Sequence, residues 1–350
     1  MFKQNVTIEP LLSAIIPYYN VGRNLIENCL ESILAQSYQN YEVIIIDDGS
    51  EDEFSLIVDE LSNKDQRISV WHQDNQGVSV ARNLGVELAK GDYVTFVDAD
   101  DEIAPFFFAE AMRIIIDTDV DEVIGANITT DNIAMEIEKD ESTKYRILSG
   151  QERYWFRQHL LGKVYRVADG GAGIGRGSVA RIIRMSIARK VKFNSELVIC
   201  EDGIWNLETL NKCNKICVVE QIWYKYYRNP QSATRKFNPE IIRQCEQYFA
   251  EIPKHIDMGK DEDYCGYVER IMELLWLFVY KSFLGHPQGI TTLEKEAAVR
   301  HLYTSSPWTK ISEARYFRLT SKKNKIKSLL YKHKLLLLYW DIKAAWKKLH

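Results

Sequence analysis

Three acids crowd together at Asp98, Asp100 and Asp101, in the stretch "FVDADD", directly after an apolar run. Carboxylates that close repel one another, so the cluster needs a positive partner or a structural use. Hard divalent cations such as Mg2+ or Mn2+ take oxygen ligands and favour one or two carboxylates combined with substrate phosphates. The same acids also suit the start of a helix near Pro105, where negative charge complements the dipole. Two more polar clusters close apolar runs: "PYYN" at 17–20 and "DDGS" at 47–50. Asp and Gly are ordinary turn residues, so "DDGS" also reads as a plain turn. In "QGVSVARNLG", Ser79 suits an N-cap and Arg82 a solvated helix position. The chain has no H-E-x-x-H, no Cys/His cluster and no EF-hand loop, which argues against a metal cage built from protein alone.

What must position these groups is legible from periodicity. Residues 12–17 read as a short buried strand, and Leu25, Ile26, Cys29, Leu30, Ile33 and Leu34 recur at helical spacing over 24–36. "YEVIIIDDGS" is a strand breaking into a turn, residues 52–63 a helix, and "RISVWHQ" a third strand. Residues 78–90 read as a helix capped by Gly91. "DYVTFVD" is a fourth strand, followed by a helix over 105–116 and a strand over 121–128. Strands alternating with helices of this length predict an α/β fold with a mostly parallel sheet covered on both faces. Ligands of such sheets sit beyond the carboxyl ends of the strands, where "PYYN", "DDGS" and "DADD" all fall.

The 350 residues, 46% hydrophobic and 27% charged, suffice for a packed core and exclude global disorder. Six cysteines without C-x-x-C spacing read as reduced thiols of a cytosolic protein. The N-terminus shows no signal pattern, and no run of apolar residues is long enough to span a membrane. Charge is uneven. Residues 310–350 hold twelve Lys and Arg against Glu313 and Asp341, about +10, which leaves about −14 on the rest of a chain of net charge −4.

Several stretches together resemble the family-2 glycosyltransferases, whose catalytic domain has the GT-A fold. They are "SAIIPYYN", "CLESILAQSYQNYEVIIIDDGSED", "NQGVSVARNLGVELAKGDYVTFVDADD", "VICEDGIWNLETL" and "IWYKYYRNPQSAT", and they span most of residues 12–235. The resemblance implies a catalytic domain over 1–235, with a nucleotide-sugar-binding half at 12–130 and an acceptor half at 131–235. A helical extension at 236–309 and a basic amphipathic tail at 310–350 follow. It implies a nucleotide-sugar donor: Pro17, Tyr19 and Asn20 border the base, with Tyr19 stacking on it. Asp48, with Asp47 beside it, accepts from a ring N–H, which favours UDP or dTDP. Gly77 allows close backbone approach and Arg82 helps hold the nucleotide. Asp98 faces the ribose and the water shell of a Mn2+ or Mg2+ ion, and Asp100 ligates it. Asp101 is left as a charge near a helix start. For an inverting transfer the family pattern makes Asp202 the general base and Glu201 its neighbour. The same two acids also suit the first turn of a helix running through Ile204, Leu207 and Leu210. Arg228 and Ser232 are expected at the diphosphate.

Two segments depart from the pattern. "GGAGIGRG" at 170–177 is neither a P-loop nor G-x-G-x-x-G and reads as a flexible connector or a loop near the acceptor. Arg181 and Arg184 stand where the family often has a lysine. In the tail, Ile326, Leu330, Leu335, Leu338, Ile342, Ala345, Trp346 and Leu349 fall near one face of a single helix, with Lys325, Lys332, Lys343 and Lys347 near the other. That pattern suits an anionic membrane surface, or packing on the body with a solvated lysine face. The expectation is a cytoplasmic enzyme at the inner face of the cell membrane, acting on a glycan or lipid-linked acceptor in surface polysaccharide synthesis, with no nucleic-acid partner. The rivals are a nucleotidyltransferase, which would want a Gly-rich basic loop after the first strand, and a non-catalytic sugar-binding module.

Overall fold

β1 (Leu12–Tyr18) is almost wholly buried, as a strand covered on both faces must be. It runs parallel to β2 (Tyr41–Asp48) on one side and β4 (Tyr93–Phe96) on the other. The computed structural model describes residues 9–132, 135–162, 173–227, 236–286 and 289–349, with backbone alone for 343–349. β3 (Ile68–Gln73) extends the parallel set beside β2. Beyond β4 the sheet is mixed. It takes in β5 (Glu102–Ile103), β6 (Glu122–Thr130), β7 (Tyr145–Ser149), β8 (Gly173–Ile174), β9 (Arg181–Arg184) and β10 (Lys215–Tyr227). The strand order is β3-β2-β1-β4-β9-β6-β10-β5, with β7 beside β10 and β8 beside β6. β6 and β10 are parallel, while β9 runs antiparallel to both β4 and β6.

Register decides where the polar clusters go. Tyr18 lies opposite Asp47 and Ile15 opposite Phe96, so the chain leaves β1, β2 and β4 along one edge. "PYYN", "DDGS" and "DADD" therefore share that edge. The helices α1 (Arg23–Leu34), α2 (Asp52–Ser62), α3 (Val78–Leu88) and α4 (Phe107–Thr118) follow their strands within a few residues of the predicted bounds. α5 (Glu152–Leu160) and the one-turn α6 (Met185–Ala188) lead to α7 (Glu201–Lys212). Trp205 of α7 stacks on Phe193 at 4.8 Å, and Phe96 of β4 meets both rings edge-on. This aromatic triad fixes the start of α7 against the end of β4 and so carries two acids into the neighbourhood of "DADD".

The chain forms two compact units, residues 1–157 with 164–228 and residues 158–163 with 229–350. The second is helical: α8 (Ile241–Glu251), α9 (Asp261–Leu274) running on as a π-helix over Leu275–Leu284, α10 (Thr292–Thr304), α11 (Ala314–Leu319), α12 (Lys322–Lys332) and α13 (Leu336–Leu349). Tyr248, Phe249, Trp308 and Tyr316 are among its buried residues. The six cysteines are free thiols.

Two expectations are corrected. Gly91 does not cap α3, whose last residue is Leu88 and whose C-cap is Ala89. A side chain at Gly91 would strike Ser13 Oγ at 2.5 Å, so glycine serves close packing on β1. The tail is not one helix: the chain turns at Lys334, whose φ is 58°, between α12 and α13. The break redistributes the faces. Tyr331, Leu336, Leu337 and Trp340 are buried, whereas Ile326, Leu335, Leu338 and Ile342 of the expected apolar face stay exposed.

Candidate active site

The turns after β1, β2 and β3 are bolted to each other. Asn20 accepts from Glu51 N–H at 2.8 Å and donates its own N–H to Ser50 Oγ at 3.0 Å, which locks the turn after β1 to the turn after β2. Tyr19 beside it is 52% exposed, free to meet a planar ligand. Asp48 Oδ1 accepts from Gln73 Nε2 at 2.6 Å and Gln76 N–H at 2.9 Å, and Oδ2 accepts from Gly77 N–H at 2.7 Å. This holds the 74–77 loop against β2 and still leaves acceptor capacity on Oδ2. Gly49 makes the approach feasible: its φ is 72°, and a Cβ there would lie 2.5 Å from Asn75 N. Asp47 turns away from the edge. It accepts from Ser50 N–H, Ser55 Oγ and His72 Nδ1, and these partners hold its carboxyl below the usual range despite burial.

"DADD" divides by burial. Asp98 and Asp100 are partly exposed, whereas Asp101 is 3% exposed. Asp101 does not cap α4; it accepts from Tyr224 Oη at 2.8 Å and from Tyr227 N–H at 2.8 Å. Tyr224 Oη in turn accepts from Asp98 N–H at 3.0 Å, so one phenol from β10 sets the whole turn. Burial, then the charges of Asp98 and Asp100, push the Asp101 carboxyl up to about 9. Two partly exposed carboxylates beside a buried third fit a hard divalent cation completed by ligands from a substrate. Among the described residues no group of three or more His, Cys, Asp and Glu composes a cage by itself.

Arg82 is not solvated. It is 5% exposed, and its guanidinium donates to Asp98 Oδ1 and to Glu201 Oε1, both at 2.9 Å. Burial works against its charge, but Asp98, Glu201 and Asp202 outweigh that and raise its pKa. Glu201 and Asp202 open α7 behind Cys200, whose φ of 58° is a strained backbone for a non-glycine residue. Burial first, and Asp202 next, push the Glu201 carboxyl up to about 7 against the opposing pull of Arg82. Ser79 is not the N-cap of α3; Gly77 is, and Ser79 Oγ donates to Asn194 O.

The glycine-rich stretch is not a loose connector where it is described. Gly173 and Ile174 form β8, and Asn206 Nδ2 of α7 donates to Arg176 O at 2.7 Å and Gly177 O at 3.0 Å. Arg181 and Arg184 lie away from the edge. Arg181 is buried against Glu122 at 2.9 Å, and Arg184 pairs with Asp119 and Asp121, at the end of the sheet where β4 and β6 begin. Arg228 and Ser232 lie outside the described residues, as do Gly170 and Gly171.

A family model described as Glycosyl transferase family 2 matches residues 13–191, just over half of the chain and the part that builds the edge. The chain belongs to glycosyl transferase family 2. Similar proteins include the glycosyltransferase GlyG of Streptococcus pneumoniae serotype 4, 42% identical over 116 residues, which are 33% of this chain and 38% of GlyG. The uncharacterized glycosyltransferase YibD of Escherichia coli strain K12 is 31% identical over 235 residues, 64% of this chain and 63% of YibD. The chain thus matches less than two thirds of the length of either relative. In fold it is similar to S. aureus TarS 1-349 in complex with UDP-GlcNAc, with a TM-score of 0.67 at 18% identity over 96% of this chain and 91% of that one.

In this family-2 chain the candidates Asp48, Asp98, Asp100, Glu201 and Asp202 stand in recognisable motifs. Tyr224, Tyr226, Gly177 and Asn206 give no such signal in the sequence. "WYKYY" alternates like any strand, and only the pairing of β10 with β5 and β6 brings its tyrosines under the acidic turn.

Proposed function

We propose that this chain is a glycosyltransferase that moves a sugar, with inversion, from a UDP- or dTDP-sugar to a hydroxyl of a glycan or lipid-linked acceptor. The observation that carries the reading is the Arg82 bridge. One buried guanidinium touches both Asp98 of the D-x-D turn and Glu201 of the acidic helix start, which supports a donor side and an acceptor side built around one point. Asp100 and Asp98 would hold Mn2+ or Mg2+, which when bound neutralises charge on the leaving diphosphate. Tyr19 would stack on the base, and Asp48 Oδ2 would accept its ring N–H. Gly77 would let the backbone approach the nucleotide. Asp202 would take the proton from the acceptor hydroxyl as that oxygen bonds to the anomeric carbon from the face opposite the diphosphate. The C–O bond to the diphosphate breaks, and the nucleoside diphosphate leaves with the electron pair. Arg82 would draw diphosphate charge by exchanging its carboxylate partners.

UDP-GlcNAc, which TarS binds in its crystal structure, is the first donor to test. With Mn2+ and a panel of UDP- and dTDP-sugars, slow release of UDP or dTDP supports the reading. Pyrophosphate release would instead support nucleotidyl transfer, and absence of any release a binding module. Asp202→Asn should keep UDP affinity and lose transfer; retained transfer would remove Asp202 as the base. The exposed Ile326, Leu329, Leu335, Leu338, Tyr339 and Ile342, interspersed with exposed Lys322, Lys323, Lys332 and Lys334, support an anionic membrane surface as a partner.

A further inference from the structure

Gly177 is a glycine that its backbone does not require. Its φ is not positive, unlike those of Gly49 and Gly77, so any residue could adopt its conformation. What it provides is space. A Cβ at 177 would lie 3.0 Å from Tyr226 Oη and 3.2 Å from Asp202 Oδ2. Two polar groups from β10 and α7 thus converge on Gly177, a position of the turn that lacks a side chain.

The turn cannot easily give way. β8 pairs it to β6 on one side, Val179 bridges to Phe96 on the other, and Asn206 grips the carbonyls of both Arg176 and Gly177. Asn206 is itself 1% exposed. Its Oδ1, and Ser178 Oγ next to Gly177, find no hydrogen-bond partner among the described residues, so this wall keeps polar capacity to spare. Tyr226 is strongly placed as well. Burial, then Asp98, Asp101 and Asp202, keep its hydroxyl protonated, an O–H that can donate to an incoming oxygen.

We propose that the 175–178 turn is the acceptor wall of the site and that Gly177 sets the bulk of the alcohol admitted beside Asp202, with Tyr226 Oη as a second hydrogen-bond partner for the acceptor. The inference rests on Asp202 as the base and adds the group that selects its substrate. Gly177→Ala narrows the gap by one methyl group, and Gly177→Val closes it further. The neighbours of a Cβ at 177 are Tyr226 Oη, Asp202 Oδ2 and Val179 Cγ2, not Asp48, Gly77 or the D-x-D carboxylates.

The test uses the full chain with UDP-GlcNAc and Mn2+, and with water, methanol, glycerol or methyl β-glucopyranoside as competing nucleophiles. Glycoside and free sugar are read by mass spectrometry, and UDP affinity by calorimetry. In Gly177→Ala the ratio of glycoside to hydrolysis should fall about tenfold for methyl glucopyranoside and little for methanol, with UDP affinity within about twofold. Gly177→Val should extend the loss to glycerol. An unchanged ratio for every nucleophile overturns the inference, and so does a parallel loss of UDP affinity, which would place Gly177 on the donor side. If the unsubstituted chain releases no nucleotide from any donor, the glycosyltransferase reading falls and takes this inference with it. Release with an unchanged partition overturns this inference alone.

Discussion

At the scale of single residues, the acids of the site are distinguished by what touches them. Asp98, Asp100 and Asp101 are identical in type, yet only Asp101 is buried and held by two donors from β10. Tyr224→Phe removes the phenol that links Asp101 to Asp98 N–H while keeping the ring. It should cost about 1–3 kcal/mol of stability and lower affinity for Mn2+ with UDP about tenfold, read by denaturation and calorimetry. Glu201 gives a pH signature. Its folded pKa, about 7, lies above the ordinary 4.5, so its contribution to stability is complete below about pH 4.5 and is lost as pH rises through 7. Without metal, unfolding free energy should decline over that window by on the order of 3 kcal/mol, and Glu201→Gln should flatten the decline. Urea titrations at pH 5 and pH 8 measure both slopes.

At the scale of elements, the parallel half of the sheet was readable because every signal agreed. Apolar strands, helical periodicity and turn residues all point to the same edge, and register then leaves no choice about where "DADD" emerges. The short strands were not readable. β5, β8 and β9 have four residues or fewer, and "RIIR" of β9 hides an interior arginine whose charge is met, among the described residues, by Glu122, 59 residues away in sequence. The left-handed Cys200 before α7 carries no sequence signal either, since its position follows from Trp205 packing on Phe193 and Phe96. Gly49 is the opposite case, a turn glycine whose necessity can be stated. Gly49→Ala forces a positive φ on alanine and drives a methyl into Asn75 N. It should destabilise by about 2 kcal/mol or more and weaken UDP binding by displacing the 74–77 loop that Asp48 holds.

At the scale of the whole molecule, the basic tail is part of the second unit rather than an appendage. Tyr331 and Trp340 are buried, and Trp340 packs on Trp276 and Tyr280. A chain ending at Thr309 should therefore lose that unit's fold, and surface substitutions are the proper probe of membrane contact. Lys322→Glu, Lys323→Glu and Ile342→Asp together should leave the melting transition in place and abolish co-sedimentation with phosphatidylglycerol vesicles; equal sedimentation would reject the membrane partner. The Arg82 bridge also reaches across the catalytic unit. A single cation is shared by Asp98 and Glu201, so a diphosphate that draws the guanidinium away releases both acids at once. Glu201, already titrating near neutrality, then gains proton affinity. Donor binding and hydrogen-ion uptake would then be one coupled equilibrium. Calorimetry of UDP binding near pH 7.5, repeated in buffers of different ionisation enthalpy, should register a fraction of a proton taken up per nucleotide bound, and none in Glu201→Gln.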